Sequence, residues 1–94
     1  MAKEKITQQD AILILLKRKP NISLDMIEGE LPGYYRKNLA GVIKEMTDKK
    51  LVYLSYKHYN LTKDGEKTFS YRFAELRKKG PRNELAGLEH AFGM

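Results

Sequence analysis

The 94-residue sequence contains no cysteine and no tryptophan, and it has only three prolines. Without cysteine the chain can form neither a disulfide nor a thiolate metal site. Its longest apolar run, Ala11 to Leu16, is far shorter than the roughly 20 residues that a membrane-spanning helix needs. The stretch from Met1 to Lys5 lacks the apolar segment of a secretory signal. We therefore expect a cytoplasmic protein that is not attached to a membrane.

The motifs of common enzymes are also missing. There is no glycine-rich phosphate loop, no Gly-x-Ser-x-Gly elbow and no catalytic pairing of histidine with carboxylate. Asp25 and Glu28 are three residues apart, but they start a predicted helix, whose dipole stabilises carboxylates. The two histidines, His58 and His90, have no neighbouring cysteine or carboxylate pattern to complete a metal site. The sequence therefore predicts a non-enzymatic protein without cofactor or metal.

Positive charge is what the chain has in excess. It has 18 Lys and Arg against 12 Asp and Glu, a formal net charge of +6. Residues 34–50 hold five basic and two acidic residues, and residues 71–82 hold five and one, whereas residues 21–33 hold three acidic residues and no basic one. Such clusters suit a polyanionic partner. The alternative is that lysine-rich helix faces are simply solvated.

Three helices are predicted in the first half of a single compact domain. Thr7 is a hydroxyl N-cap three residues before Asp10, and the helix it starts ends at Pro20. Ser23 caps a short second helix, which a Pro-Gly turn follows. The third helix is predicted from Tyr34 to Lys49, because its apolar residues have the spacing of one buried stripe: Tyr35, Leu39, Val42, Ile43 and Met46.

The second half predicts two short strands and a further helix. Residues 51–55 and 58–61 have the Val, Tyr and Leu content of strands, joined by a turn that lacks an Asn-Gly or Asp-Gly pair. Thr62 is the expected cap of a helix over residues 63–79, which Gly80 and Pro81 end. The domain is predicted to cover residues 1–80. Residues 81–94 are either a flexible tail or a short docking segment.

Four local patterns carry a resemblance to a known family: Ser23-Leu24-x-x-Ile27, Leu39-x-x-Val42-Ile43-x-x-Met46, Lys50-Leu51-Val52 and Tyr59-x-Leu61-Thr62-x-x-Gly65. With this order of elements the chain resembles winged helix-turn-helix DNA-binding domains of small bacterial, archaeal and phage regulators. The resemblance implies a mainly α (α+β) fold: a three-helix core, a short two-stranded wing and an additional C-terminal helix. Lys50 stands where that family usually has glycine, and the wing is shorter than usual.

The resemblance also implies a function, transcription regulation by binding double-stranded DNA, with helix 34–49 in the major groove. Arg36 would read guanine, whereas Lys37 and Lys44 would hold phosphates. Tyr34 either donates to a phosphate or packs on the turn. Lys57 and His58 either reach DNA or form a solvated turn. The DNA-binding residues implied in this sequence are Tyr34, Arg36, Lys37, Ala40, Lys44, Lys57 and His58.

Two further expectations concern protein partners. In related small regulators a terminal helix pairs with its two-fold mate, so a homodimer through helix 63–79 is expected to use Phe69, Phe73 and Leu76. The alternative is that this helix packs on the first helix of its own chain. The alternative function is that of a protein-interaction module that inhibits or recruits a larger complex. Its anchor would be the apolar residues of the tail: Leu85, Leu88 and Phe92.

Overall fold

The computed structural model describes residues 5–80 and 82–92, which form five α-helices, one turn of 3₁₀ helix and one antiparallel pair of strands. This confirms the predicted mainly helical α+β class. The elements follow one another as α1 (Gln8–Arg18), α2 (Leu24–Glu30), the 3₁₀ turn (Gly33–Tyr35), α3 (Leu39–Asp48), β1 (Val52–Ser55), β2 (His58–Leu61), α4 (Lys63–Lys79) and α5 (Arg82–Ala91).

Helix α1 lies at the centre of the hydrophobic core. Its apolar residues from Ala11 to Leu16 are all buried, so no face of this segment is left for solvent. Burial on every side explains why the segment shows no amphipathic pattern. The other elements contribute to the same core with Ile22, Ile27, Leu31, Tyr35, Leu39, Ile43, Met46, Val52, Leu76, Leu85, Leu88 and Phe92.

Three hydroxyl caps start helices where the sequence predicts them. The Asp10 N–H donates to Thr7 Oγ1 at 3.1 Å, and the Thr7 N–H donates to Asp10 Oδ2 at 3.0 Å. This reciprocal pair is a capping box, with aspartate in the place of the usual glutamate. Ser23 Oγ accepts the Met26 N–H at 3.3 Å, and Thr62 Oγ1 accepts the Gly65 N–H at 2.9 Å. Each cap satisfies a backbone donor that the helix itself cannot.

The carboxylate of Asp10 also joins α1 to α4. Arg72 Nε donates to Asp10 Oδ1 at 3.0 Å, and Arg72 Nη2 donates to Oδ2 at 2.9 Å. Asp10 is 4% exposed and is the only buried charged residue within the described part of the chain. This two-pronged contact compensates the carboxylate for its lost water and fixes α4 against the start of α1.

The two strands pair from Val52 with Leu61 to Ser55 with His58. Tyr56 and Lys57 connect them, and both have positive φ, 49° and 65°. Positive φ at both central residues is what a type I′ hairpin turn requires, so this turn forms without the usual Asn-Gly pair. On the other side of β2, the Tyr59 N–H donates to the Ile22 carbonyl at 2.7 Å. The hairpin is thereby held to the segment that leads into α2.

The start of α4 packs closely against the end of α3. Thr62 N–H donates to the Leu51 carbonyl at 3.0 Å, and Thr62 Oγ1 donates to the Lys50 carbonyl at 2.5 Å. Gly65 lies directly against the same Leu51 carbonyl, with which a Cβ atom at position 65 would collide. The Thr62-x-x-Gly65 pattern therefore has a physical reason: the threonine bonds to the backbone that the glycine allows to approach.

The predicted start of the third helix at Tyr34 is wrong, because α3 begins at Leu39. Residues 33–35 form the 3₁₀ turn, and Asn38 follows with φ 52° and ψ 39°. This left-handed conformation cannot belong to a right-handed α-helix. The apolar spacing of Tyr35 and Leu39 survives because both side chains reach the core from different elements.

The end of α3 is a Schellman motif. The Lys50 N–H donates to the Thr47 carbonyl and the Leu51 N–H to the Met46 carbonyl, both at 2.9 Å. Lys50 itself has φ 61°. Lys50 therefore occupies the left-handed position of the motif, where glycine is usual, and the conformation is less favourable for lysine than for glycine.

Residues 82–92 contain α5, and the side chains of Leu85 and Leu88 on this helix and of Phe92 after it are buried in the common core. Pro81 and residues 93–94, which the sequence also assigned to the tail, lie outside the described residues, as do residues 1–4. No helix in the described ranges combines the length and apolar character that crossing a membrane requires.

Candidate nucleic-acid interface

The outward side of α3 begins with two small residues. Leu39, Ile43 and Met46 are buried, so Ala40, Gly41 and Lys44 lie on the exposed side of the helix. Asn38, the N-cap residue, makes no side-chain hydrogen bond to the first turn. Its amide lies instead against Gly41, because a Cβ atom added there would be 2.8 Å from Asn38 Nδ2. The first turn of α3 therefore presents the Ala40 methyl group and the Asn38 amide to any surface that approaches it.

The turn that precedes α3 is anchored from behind. Gln8 Nε2 donates to the carbonyls of Tyr35 and Lys37, at 2.8 and 2.6 Å. Tyr35 is buried, as predicted, whereas Tyr34 is 85% exposed and meets the Tyr35 ring edge-on at a centroid distance of 5.1 Å. These contacts fix the backbone on either side of Arg36 and leave the Tyr34 hydroxyl and the Lys37 ammonium facing solvent.

Burial raises the pKa of Tyr35 above its usual value of 10.0. The negative charge of Glu84, at the start of α5, and those of Tyr34 and Asp10 raise it further. The Tyr35 phenol therefore stays neutral throughout the physiological range, as a buried group should. Its environment also shows that α5 begins close to the turn that leads into α3.

Arg36 adopts a geometry that the sequence did not indicate. Its Nε donates to the Leu31 carbonyl at 2.7 Å, and its Nη2 reaches the Gly29 carbonyl at 3.5 Å. The guanidinium therefore lies at the C-terminal end of α2, where a cation favourably meets the last carbonyls of the helix. Two of its nitrogens are directed at the protein itself, and these would otherwise form part of the fork that reads guanine.

Helix α3 is not a basic helix along its whole length. It contains one lysine, Lys44, and two acids, Glu45 and Asp48, so its own formal charge is −1. Lys49 Nζ forms an ion pair with Glu45 Oε1 at 3.1 Å. The positive charge of this region is instead supplied before α3, at Lys37, and after it, at Lys50. The basic surface is therefore narrower than the predicted helix 34–49 implied.

The hairpin tip carries Lys57 and His58 on a different element from α3. His58 Nδ1 lies 2.8 Å from the Tyr56 carbonyl, close enough to donate when that nitrogen is protonated. Tyr56 is 95% exposed, the largest value among the exposed apolar and aromatic residues of the described ranges. The sequence analysis did not select Tyr56. The signal was present, since a two-residue loop must place its first residue at the tip.

Basic residues of α1 are partly neutralised by ion pairs. Lys17 Nζ lies 3.1 Å from Glu66, and Lys19 Nζ lies 2.8 Å from Glu30. Among residues 5–80 and 82–92 there is also no grouping of three or more histidine or acidic side chains that could hold a metal ion. The candidate interface therefore consists of the first turn of α3, the turn before it and the hairpin tip.

Comparison with models of known protein families, with curated proteins and with solved structures gives no match to this chain. No functional residue can therefore be transferred from a relative. The case for an interface rests on the geometry and charge of this chain alone.

Proposed function

We propose that this chain is a winged helix-turn-helix protein that binds double-stranded DNA without catalysis and thereby regulates transcription. Two short helices joined by a turn, α2 and α3, precede a small hairpin, which is the order of elements that the motif requires. The bond from Tyr59 to Ile22 ties the hairpin to the start of α2. This hydrogen bond supports treating the hairpin and the helices as one unit that contacts DNA.

The observation that carries the proposal is the exposed first turn of α3. In helix-turn-helix complexes the N-terminal residues of the second helix contact base edges. Ala40 and Gly41 occupy that turn here, with the Asn38 side chain against Gly41, so an approaching surface meets the Ala40 methyl group and the Asn38 amide. The positive end of the helix dipole lies at the same place and favours phosphate. Lys37 and Lys44 flank the turn as exposed cations.

The roles within this surface follow from what each side chain already contacts. Lys37 and Lys44 are compact, exposed charges suited to phosphates, and the Tyr34 hydroxyl can donate to another phosphate. Arg36 acts as a positioning residue, since its guanidinium holds the end of α2. Base discrimination then falls to Ala40, whose methyl group fits against the methyl group of thymine. Tyr56, Lys57 and His58 reach the neighbouring DNA backbone.

Salt dependence of duplex binding tests the proposal. If about four to six phosphates are neutralised, the log–log slope of affinity against salt should be roughly −4 to −5. Lys37→Ala and Lys44→Ala should each weaken binding to all sequences and reduce the slope by about 1. Lys78→Ala, on α4, is the matched control and should leave the slope unchanged. Equal effects of all three variants would contradict the assigned surface.

The alternative function, a protein-interaction module anchored by the tail, meets a structural obstacle. Leu85, Leu88 and Phe92 are buried in the core of their own chain. They could enter a partner only if α5 first left that core and exposed its apolar area to water. DNA binding needs no such rearrangement, because the residues proposed for it are already exposed, apart from His58, which is half-buried.

The homodimer through helix 63–79 stays a prediction, and its interface is smaller than expected. Leu76 is completely buried within its own chain and cannot contribute. Phe69 and Phe73 remain, each partly buried and packed against the core. Packing of this helix on α1, the alternative weighed from sequence, is observed through the contact of Asp10 with Arg72.

A further inference from the structure

A shallow groove runs along α4 on either side of two phenylalanines. One part of it is lined by Phe69, Ser70, Phe73, Ala74, Arg77 and Lys78. A second part shares Phe73 and Arg77 with the first and extends to Arg18 on α1 and to Arg82 and Glu89 on α5. The two depressions adjoin at Phe73 and Arg77, which line both, and together they are here called the α4 groove. The proposed DNA-binding surface uses none of its residues.

The floor of the α4 groove is aromatic and its sides are short. The Phe69 and Phe73 rings stack with centroids 5.3 Å apart and an interplanar angle of 25°. Ser70 and Ala74, one helical turn apart, leave room beside them. The Arg77 guanidinium carbon lies 5.7 Å from the Phe73 centroid. With a ring and a guanidinium as neighbours, Phe73 has little face left for a stacked nucleobase, whereas an aliphatic or aromatic side chain can pack on the exposed ring edges.

The rim of the α4 groove is strongly positive. Four cations line it, namely Arg18, Arg77, Lys78 and Arg82, against the single acid Glu89. Glu89 already lies 4.0 Å from Arg18. A second copy of this chain, docked face to face, would oppose these cations with the same cations, and such like-charge contacts disfavour association. The occupant that fits must bring carboxylates together with apolar side chains.

We propose that the α4 groove binds an acidic, apolar-dotted peptide segment of another protein. Leucine or phenylalanine side chains of that segment pack on Phe69 and Phe73 beside Ala74. Its aspartates and glutamates pair with Arg77, Lys78 and Arg82 at the rim, where opposite charges select the partner and speed its association. The groove then gives this small chain a protein contact that is separate from its DNA contact.

The test is a titration of the full chain into a fluorescein-labelled synthetic peptide that alternates Leu and Phe with Glu. Two control peptides share its length: one replaces Leu and Phe by Ser, and the other replaces Glu by Gln. The first peptide should bind, and each control should bind at least about tenfold more weakly, because both apolar and charged contacts are required. Equal binding of the serine peptide would show that charge alone accounts for the affinity, and this result would overturn the proposal.

Two groove variants localise the site without cutting into the core. Ala74→Gln fills the exposed depression, and Arg77→Glu reverses one rim charge. Each variant should bind the peptide about tenfold more weakly. Lys63→Glu makes the same charge change on α4 outside the groove and should alter binding by less than about twofold. An unchanged affinity of Ala74→Gln would overturn the site even if Arg77→Glu proved unstable.

The same variants also test two other occupants of the α4 groove, single-stranded DNA and a second copy of this chain. Binding of single-stranded DNA that Ala74→Gln abolishes would assign the groove to nucleic acid and overturn the proposal. A doubled mass in sedimentation that Ala74→Gln returns to the monomer would assign it to a second copy. Both groove variants should keep the duplex DNA affinity of the parent chain, whereas Lys44→Ala should keep peptide affinity. These variants therefore distinguish a failure of the proposed peptide binding from a failure of the proposed DNA binding.

Discussion

Two regions of this molecule differ in how closely their backbones follow the usual conformational preferences of their residues. The scaffold, formed by α1, α4 and α5, begins two of its helices at threonine caps and joins α1 to α4 through Asp10 and Arg72. The α3–hairpin segment, residues 38–57, has four of the five left-handed non-glycine residues in the described chain: Asn38, Lys50, Tyr56 and Lys57.

The scaffold residues therefore stabilise the fold, whereas the left-handed residues of the α3–hairpin segment shape its surface. Each left-handed non-glycine residue costs about 1 kcal/mol or more, and such strain is found most often at functional sites. Here Asn38 lies at the start of α3, and Tyr56 and Lys57 form the hairpin tip, which are places proposed to meet DNA; Lys50 instead ends α3. The scaffold shows no left-handed non-glycine residue within its described helices. Substitutions that break the scaffold's fixed contacts should therefore destabilise the chain, whereas relieving the strain at the hairpin tip should stabilise it.

The largest effect is expected in the scaffold, from Asp10→Ala. Removing this buried carboxylate leaves Arg72 without its two-pronged partner and breaks the capping box of α1, so the free energy of unfolding should fall by about 3–4 kcal/mol. Urea denaturation measures it. The control is Glu45→Ala, which removes an exposed carboxylate of α3 and should cost less than about 0.5 kcal/mol. Similar losses in both variants would abolish the contrast between regions.

Gly65→Ala is expected to come next. A Cβ atom at this position collides with the Leu51 carbonyl, which belongs to the backbone and cannot turn aside. The free energy of unfolding should therefore fall by about 2–3 kcal/mol. Gly87→Ala in α5 is the matched helical control, because nothing lies within 4 Å of its added methyl group. That control should be stabilised by about 0.5–1 kcal/mol, and a Gly65 variant as stable as the control would refute the close contact.

In the α3–hairpin segment the expected sign is reversed. Replacing Tyr56 by Asn and Lys57 by Gly gives the tip the residues that a type I′ turn prefers, so the free energy of unfolding should rise by about 1–2 kcal/mol. Duplex affinity should fall at the same time, since the exposed phenol and one cation are lost. Lys57→Ala keeps the left-handed strain and serves as the control for charge. A less stable double variant would show that the tip is not strained.

The smallest effect concerns Tyr35, whose pKa is raised above 10.0 mainly by burial. Below pH 10.0 both folded and unfolded chains keep the phenol protonated, so its contribution to stability is fully present. As pH rises past 10.0 the unfolded chain loses the proton first, and this contribution declines through the folded pKa. The parent chain should therefore lose stability above pH 10.0 relative to Tyr35→Phe. Tyr34→Phe controls for loss of a phenol, and parallel profiles for parent and Tyr35→Phe would contradict the raised pKa.

What the sequence predicts well is governed by local chemistry. The caps at Thr7, Ser23 and Thr62 are confirmed, and α4 has the predicted bounds of residues 63–79, because a cap and a terminating glycine are both visible in the sequence. Tyr35 is in the core as predicted, although it belongs to the 3₁₀ turn and not to the helix on which the prediction was based.

What escapes prediction depends on backbone conformation and on contacts made after folding. Asparagine at position 38 favours both a left-handed backbone and an N-cap, but the apolar spacing of Tyr35 and Leu39 favoured one continuous helix, so the predicted start of α3 lies too early. The Arg36 guanidinium could reach either DNA or the carbonyls of α2, and only the folded turn decides between them. The exposure of Tyr56 is a different case, because the two-residue loop in the sequence already indicates that this residue lies at the tip.

The most direct measurement is the change in backbone amide NMR shifts as duplex DNA is added to the full chain. The account predicts shifts at residues 34–44 and at Tyr56 and Lys57, with α4 and α5 little affected. Shifts concentrated on α4 and α5, or a duplex that leaves residues 34–44 unchanged, would contradict it.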